Sequence, residues 1–445
     1  MKRRHFLGGT LGAAAAFSWS RRAAGSDERT PLWLQVHAGG GWDTSLLCDP
    51  KQEVNGLNFN TGQTSPTAAG HVFSYADLGG SATGIPSDNG FEFGEFFETW
   101  AEQLVVLNGV WTESAGHRSG ARLAASGRLM EGYPSLWAMI ATQYGAHQSM
   151  PYLTGNGAAY SASMGLAPPT RLSDLGDFEQ IARPNRVTIH NTETFYSEEE
   201  FEWLNAARSA RMERLIAKEQ RAHVRARLEQ IEKSQSGQSD LLAFQDAWAT
   251  GAATPLPTLN KTNSGAVRLF NSGLQTLIGW ELGLTSSGVL GHSGFDTHNR
   301  HDASHPNALQ NLLLGIHLIL QEAETRGVPV VMVVTSEFGR TATYNAADGK
   351  DHWPSTSWML LQTKGLEMFQ TGRLFGGSLY DNSVQQIRPM ALNMETLAPD
   401  EEGSLLNPEA LHVWLRGRAG LKDTLMSEHL FPLRNAVWPG LDTLI

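Results

Sequence analysis

The chain has 445 residues, and its 45 Asp and Glu against 34 Lys and Arg give a formal net charge of -11. A hydrophobic content of 41% supplies a sizeable core, either one large domain with insertions or two domains. The acidic balance excludes a general nucleic-acid binder, which needs clustered Lys and Arg for phosphates, and the single cysteine, Cys48, excludes an intramolecular disulfide and a thiolate zinc site.

The chain opens on Lys2-Arg3-Arg4-His5-Phe6-Leu7, followed by an Ala/Gly-rich apolar stretch to about residue 19. That stretch is shorter than the roughly 20 residues a permanent span requires. The pattern over residues 1–25 is that of a twin-arginine export signal with processing near Ala23-Ala24-Gly25. It implies the twin-arginine translocase as a transient partner, a periplasmic or exported location and no permanent membrane span.

Beyond the signal, residues 31–445 read as a single domain. Residues 32–37 form a buried strand that ends in the turn Gly39-Gly40-Gly41, and residues 104–110 form a second strand. Residues 117–144 read as helical, broken near Gly127, Gly132 and Pro134. The Gly-, Pro- and Ser-rich stretch 151–187 reads as loop. Residues 198–233 read as one long charged helical stretch, part of a helical insertion at about 198–240 whose surface is either solvated or a partner-docking face. A helix near 266–281, a strand near 287–290 and a helix over 308–325 follow. Residues 328–334 are a near-continuous apolar run that suits a parallel strand covered on both faces, and residues 357–361 add another strand. The alternation predicts an α/β fold with a mainly parallel central sheet flanked by helices.

Chemistry-bearing residues cluster where these strands end, the edge at which open α/β sheets bind ligands. Asp43 follows the triple-glycine turn, placed either to approach a metal or to cap the next helix at Thr44-Ser45. Asp296 and His298, two apart in Gly294-Phe295-Asp296-Thr297-His298, point the same way on an extended backbone and can reach one cation. His292, His301 and His305 surround them. Glu337 ends the strongest strand, as a ligand or as a partner of Arg340; Arg340 is alternatively a bidentate clamp for phosphate or sulfate. His352 is a further imidazole ligand, with Asp351 as a second ligand or as the group that orients a histidine. Thr112, Ser114, Ser119 and Thr44 are candidate nucleophiles or helix caps, a metal-activated water is the alternative to all of them, and His117 and Arg118 are candidates for ligand and anion contact. Asp, Glu and His without cysteine point to one or two divalent ions (Zn, Mn or Ca) in hydrolytic chemistry.

The export signal, Gly39-Gly40-x-Trp42-Asp43, Gly294-Phe295-Asp296-Thr297-His298, Ser336-Glu337-Phe338-Gly339-Arg340-Thr341 and Gly349-Lys350-Asp351-His352-Trp353 together resemble the bacterial domain of unknown function 1501 family. That family is grouped with alkaline phosphatases and sulfatases. The resemblance implies an alkaline phosphatase-like sheet and a small anionic ester as substrate. It places one metal on Asp43, another on Asp296 with His298 or His301, and His352 completing the set. Phe338 departs from the phosphatase pattern, which has a histidine there, and no Cys-x-Pro-x-Arg sulfatase signature surrounds Cys48. The implied function is hydrolysis of phosphate or sulfate esters; the alternative is a non-catalytic exported binding or assembly protein on the same fold.

Overall fold

Eight strands make the central sheet: β1 (Leu32–Gly39), β2 (Leu104–Trp111), β3 (Tyr152–Thr154), β4 (Thr170–Arg171), β5 (Ser287–Ser293), β6 (Val330–Ser336), β7 (Ser355–Gln362) and β8 (Arg373–Gly376). The principal helices are α1 (Phe93–Trp100), α2 (His117–Ser126), α3 (Leu136–Tyr144), α4 (Glu198–Lys218), α5 (Ala222–Ser236), α6 (Gln238–Gly251), α7 (Ser264–Glu281), α8 (His301–Arg326) and α9 (Pro408–Arg418). This computed structural model describes residues 30–445 except 52–53, 55–56, 58–63, 66–69, 71–74, 77–90, 92, 156, 173–181, 189–191, 237, 252–263, 434–436 and 445. The export signal expected at 1–25 therefore lies outside the described residues.

The spatial order of the sheet is β8-β2-β7-β6-β1-β5-β3-β4. All its pairings are parallel except those of β7, which runs against β6 and β2. The reason lies in the connection. No helix intervenes between β6 and β7, and a parallel return needs a crossover of a dozen or more residues, usually helical. The chain instead makes a short ribbon, Gly339–Arg340 against His352–Trp353, and enters β7 from the edge at which β6 ended. That reversal brings Glu337, Arg340 and His352 to the carboxyl edge of the parallel strands.

Side chains alternate between two covered faces. Leu32, Leu34, Val36, Val330, Met332 and Val334 pack with α1, α7 and α8, while Trp33, Val105, Leu107, Val331, Val333 and Leu360 pack with α2, α3 and α9. Burial on both sides explains why β6 is apolar from Val330 to Val334. Three expectations need correction. The stretch 151–187, expected as loop, contributes β3 and β4 to the sheet edge. The helix expected over 308–325 begins at His301 and carries Pro306 within its first two turns. The 198–233 stretch is two helices, α4 and α5, because the Glu219 carboxylate bonds the backbone and guanidinium of Arg221 and draws the chain out of helix there. No described helix is long and apolar enough to cross a membrane.

One buried imidazole makes the fold acid-sensitive. His412 on α9 stands edge-on between Trp137 and Trp358, its Nε2–H donating to the Ala124 carbonyl at 3.1 Å. Burial pushes its pKa down to about 3, whereas an unfolded histidine titrates near 6.5. The folded state cannot take up the proton, so stability is complete above about pH 6.5 and falls by about 1.4 kcal/mol per pH unit as pH drops towards 3. Thermal unfolding followed from pH 7 to pH 4 should show His412→Gln losing less of its stability over that interval than the parent chain does.

Candidate metal centre

Five segments meet at the carboxyl edge: the turns after β1, β2, β5 and β6, and the ribbon that leads into β7. Their approach depends on missing side chains. Gly40 has φ 122°, and a Cβ there would lie 2.4 Å from the Asp296 backbone nitrogen. A Cβ on Gly349 would lie 2.0 Å from the carbonyl of His298. Both glycines let the Asp296–His298 segment lie against its neighbours, backbone on backbone.

Three imidazoles surround Asp296 in a half-exposed cluster. His352 Nε2 lies 3.0 Å and His298 Nε2 3.1 Å from Asp296 Oδ1, and the two nitrogens are 3.0 Å apart. His117 Nε2 is 3.4 Å from Asp296 Oδ2, and donor atoms of His117, Asp296 and His352 all fall within 4.8 Å of one another. The remaining nitrogen of each ring is committed to an acceptor. His117 Nδ1 donates to Glu337 Oε1 at 2.9 Å, His298 Nδ1 to Asp351 Oδ1 at 2.8 Å, and His352 Nδ1 to the Ala115 carbonyl at 2.8 Å. In the neutral rings, then, every Nε2 turns a bare lone pair towards Asp296. Electron pairs facing one another at 3 Å repel unless a proton or a cation lies among them. Ligand atoms around a tetrahedral zinc stand about 3.3 Å apart, so the donor set fits a divalent ion. Metal-ligating histidines characteristically give their other N–H to a carboxylate or carbonyl, as all three rings do here.

The supports of this cluster are buried. Glu337 accepts from the Gly40 N–H at 2.6 Å as well as from His117, and His37 Nε2 lies 3.0 Å from its other oxygen. Burial alone would raise its pKa, but the contacts to His37 and His117 outweigh that and hold it at about 2. Asp296 is likewise held at about 2: burial opposes ionisation, and chiefly the hydrogen bond from Arg340, with the His352 ring beside it, overcomes it. The ring of Phe338 packs against His352 and His117, with centroids 4.2 and 5.1 Å away. A phenyl group at that position cannot ligate, but it fixes the planes of two rings that can.

Asp43 lies in a separate, wholly buried network. One carboxylate oxygen accepts from the Ser45 N–H and hydroxyl, at 2.9 and 2.5 Å; the other accepts from Lys350 Nζ at 2.7 Å and from His301 Nε2 at 3.1 Å. The protons form a closed sequence. The Asp43 N–H donates to His305 Nε2, His305 Nδ1–H donates to Thr297 Oγ1, Thr297 Oγ1–H donates to His301 Nδ1, and His301 Nε2–H returns to the Asp43 carboxylate. Burial keeps His301 and His305 neutral, while Lys350 and His301 hold Asp43 well below the carboxylate range despite its desolvation.

The expected site residues thus divide. Asp296, His298 and His352 converge, joined by His117. Asp351 and Glu337 stand behind them, each bonded to an imidazole. Asp43 and His301 do not reach the cluster: the four acceptor positions of Asp43 are filled, Lys350 supplies the cation it was expected to find in a metal, and Asp43 caps the 3-10 turn Thr44–Leu46. Glu337 does not pair with Arg340. The buried guanidinium of Arg340 is spent on the carbonyls of Gly40, Gly41 and Lys350 and on Asp296, which removes it as an anion clamp and makes it a brace. Thr112 is buried and donates to the Ser114 carbonyl, while Ser114 Oγ bonds Ser119 Oγ and the Gly116 N–H, so both hydroxyls serve the turn into α2. His292 packs against Phe295 in the core. His37, Thr297 and Lys350 are supporting residues that the motifs alone do not single out. The signals were a histidine inside a buried strand whose only other polar side chain is Gln35, and a lysine enclosed by Gly349 and Asp351.

No curated protein matches the chain. Among solved structures, it is similar to Ps i-CgsB, determined in complex with k-i-k-neocarrahexaose, at 8% identity and a TM-score of 0.41 over 93% of this chain and 77% of that one. It is similar to the alkaline phosphatase of the Antarctic bacterium TAB5 at 9% identity and 0.32, over 78% and 94% of the two chains. It is also similar to the PsFucS1 sulfatase from Pseudoalteromonas sp. at 12% identity and 0.36, over 93% and 76%. Residues 33–362 match the family described as protein of unknown function (DUF1501), and the chain belongs to that family.

Proposed function

We propose that this chain is an exported metal-dependent hydrolase of phosphate or sulfate esters, with one divalent ion held by His117, His298, His352 and Asp296. The observation that carries the reading is the convergence of three imidazole lone pairs on one carboxylate while each ring's second nitrogen is pinned. Of the three ions expected, three nitrogen donors favour zinc; manganese and calcium suit oxygen ligands better. A divalent ion bound there would polarise an ester oxygen and acidify water. The protein's own part is preorganisation. Glu337, Asp351 and the Ala115 carbonyl hold the rings in the ligating tautomer, Arg340 keeps Asp296 ionised, and Phe338 fixes two ring planes. Helix α2 starts at His117 with no side-chain cap on its amino end. Its first N–H groups and the adjacent Arg118 favour an anionic group beside the imidazoles. With Thr112 and Ser114 engaged in the turn, water is the nucleophile in this reading, and export by the twin-arginine translocase delivers the folded chain.

The second reading, a non-catalytic exported binding protein, is favoured by those same engaged hydroxyls. Elemental analysis combined with assays on an aryl phosphate and an aryl sulfate separates the two. The hydrolase reading expects about one Zn or Mn per chain and turnover that a chelator abolishes and the metal restores. A metal-loaded chain inert on both esters sinks the hydrolase and leaves the binding protein; a chain that takes up no metal sinks the centre itself.

A further inference from the structure

We propose that His37 is a positioning residue of this metal centre, the middle of a buried hydrogen-bonded relay that fixes the proton of His117. The inference rests on the centre proposed above. Gln35 and His37 lie two apart on β1, and Thr335 stands beside His37 on β6. All three therefore share one face of the sheet, the face that packs against α2. All three are buried, and a polar group in such a place costs stability unless it is hydrogen-bonded.

The direction of each proton follows from the ends of the relay. The Ala124 carbonyl can only accept, and it lies 3.4 Å from Gln35 Nε2, which fixes the orientation of the amide. Gln35 Nε2 also donates to Thr335 Oγ1 at 3.0 Å. That leaves the Thr335 hydroxyl proton one acceptor, His37 Nδ1 at 3.3 Å. The proton of the neutral His37 ring then sits on Nε2, which faces Glu337 Oε2 at 3.0 Å and meets no other hydrogen-bond partner. Ser336 has a single hydroxyl proton, and the Ala38 carbonyl at 2.6 Å takes it in preference to Glu337 Oε2 at 3.3 Å. His37 thus supplies the donor on one side of the carboxylate, and Gly40 and His117 supply those on the other. Held from both sides, the carboxylate cannot turn. As an acceptor at Oε1 it keeps the His117 proton on Nδ1 and leaves Nε2 bare for a metal. The relay begins and ends on α2, because Ala124 lies about two turns beyond His117. The seating of α2 on the sheet and the orientation of its first imidazole are one hydrogen-bonded unit.

Two amide variants of the full chain test the proposal, because glutamine reaches as far as the ring's Nε2 and asparagine only as far as Nδ1. His37→Gln still offers Glu337 an N–H and should bind Zn with close to the parent affinity. His37→Asn reaches Thr335 but not Glu337, and should raise the Zn dissociation constant about tenfold, the lower end for groups that orient a ligand. Long-range ¹H–¹⁵N correlation in metal-free protein reads the relay directly. The parent should show His37 protonated on Nε2, opposite to His117, and His37→Asn should populate both tautomers of His117 while His298 keeps one. Circular dichroism checks that both variants fold; should either unfold, the parent tautomers decide alone. A parent His37 protonated on Nδ1, a His117 indifferent to His37→Asn, or a His37→Gln that binds Zn as weakly as His37→Asn would each overturn the proposal. A parent chain that takes up no Zn overturns the centre and the proposal together, and the tautomers, read without metal, tell that outcome from a failed relay.

Discussion

Replacing Lys350 with methionine should lower the unfolding free energy by about 3–5 kcal/mol, the range for breaking a buried ion pair by removing one partner. The size of the effect follows from what remains. Asp43 stays enclosed, with the Ser45 N–H, the Ser45 hydroxyl and His301 as donors, but without the ammonium at 2.7 Å that balances its charge. Neutral donors cannot replace a cation in a site closed to water. The double variant Asp43→Asn/Lys350→Met should recover much of the loss, since it leaves no uncompensated charge. Urea unfolding of the parent, both single variants and the double variant yields the coupling energy directly. The pH dependence has a definite sign. The folded pKa of Asp43 lies well below the ordinary aspartate value of 3.8, so the pair's contribution is complete above that value and lost as pH falls through the depressed one. A Lys350→Met chain that unfolds within about 1 kcal/mol of the parent would mean that Asp43 is neutral in the fold, and the proton ordering around His301 and His305 would have to be redrawn.

The central sheet was legible because its strands are apolar runs bounded by glycine turns, and covering both faces leaves little other way to write β1 and β6. The strands β3 and β4 at the sheet edge were not: two or three residues carry no period, and only tertiary pairing, of β3 with β5 and of β4 with β3, defines them. The start of α8 was hidden because His301, Asp302 and His305 look like a polar loop, although His301 and His305 are wholly buried. Their burial is possible only because Thr297 and Asp43 satisfy their ring nitrogens, contacts that span up to 262 residues. The same non-locality explains the division of the candidate site. Strand ends showed which residues share the edge, and Asp296, His298 and His352 do converge. Which carboxylate finds a metal-like donor set and which finds a lysine is decided by depth below that edge. Lys350 shares one short motif with His352, yet its side chain turns to Asp43 while the imidazole turns to Asp296.

His352→Ala should raise the dissociation constant for Zn by at least about 10³-fold, while Asp351→Asn and Glu337→Gln should raise it by only about 10–100-fold, the usual effect of groups that orient a ligand. The two tiers have different causes. Removing His352 deletes a donor and leaves Asp296 with His298, His117 and Arg340. In Asp351→Asn the amide oxygen can still accept from His298 Nδ1, but a neutral acceptor raises the ring's basicity less than a carboxylate does. Glu337→Gln is the more exacting case. Oε1 accepts from both the Gly40 N–H and His117, while Oε2 faces His37 Nε2 and the Ser336 hydroxyl. An amide oxygen can satisfy only one side; turned towards His37 and Ser336, it leaves the NH2 facing the Gly40 N–H and His117, so Gly40 loses its acceptor and His117 its fixed tautomer. Competition with a zinc-sensitive chelator measures all three affinities. Long-range ¹H–¹⁵N correlation of the imidazoles in metal-free protein reads the tautomers independently. Parent chain should show His117, His298 and His352 protonated on Nδ1, and Glu337→Gln should scramble His117 alone. If Asp351→Asn instead proves as damaging as His352→Ala, Asp351 belongs among the ligands, and the contact between its Oδ1 and His298 Nδ1 is a property of the metal-free chain that loading would break.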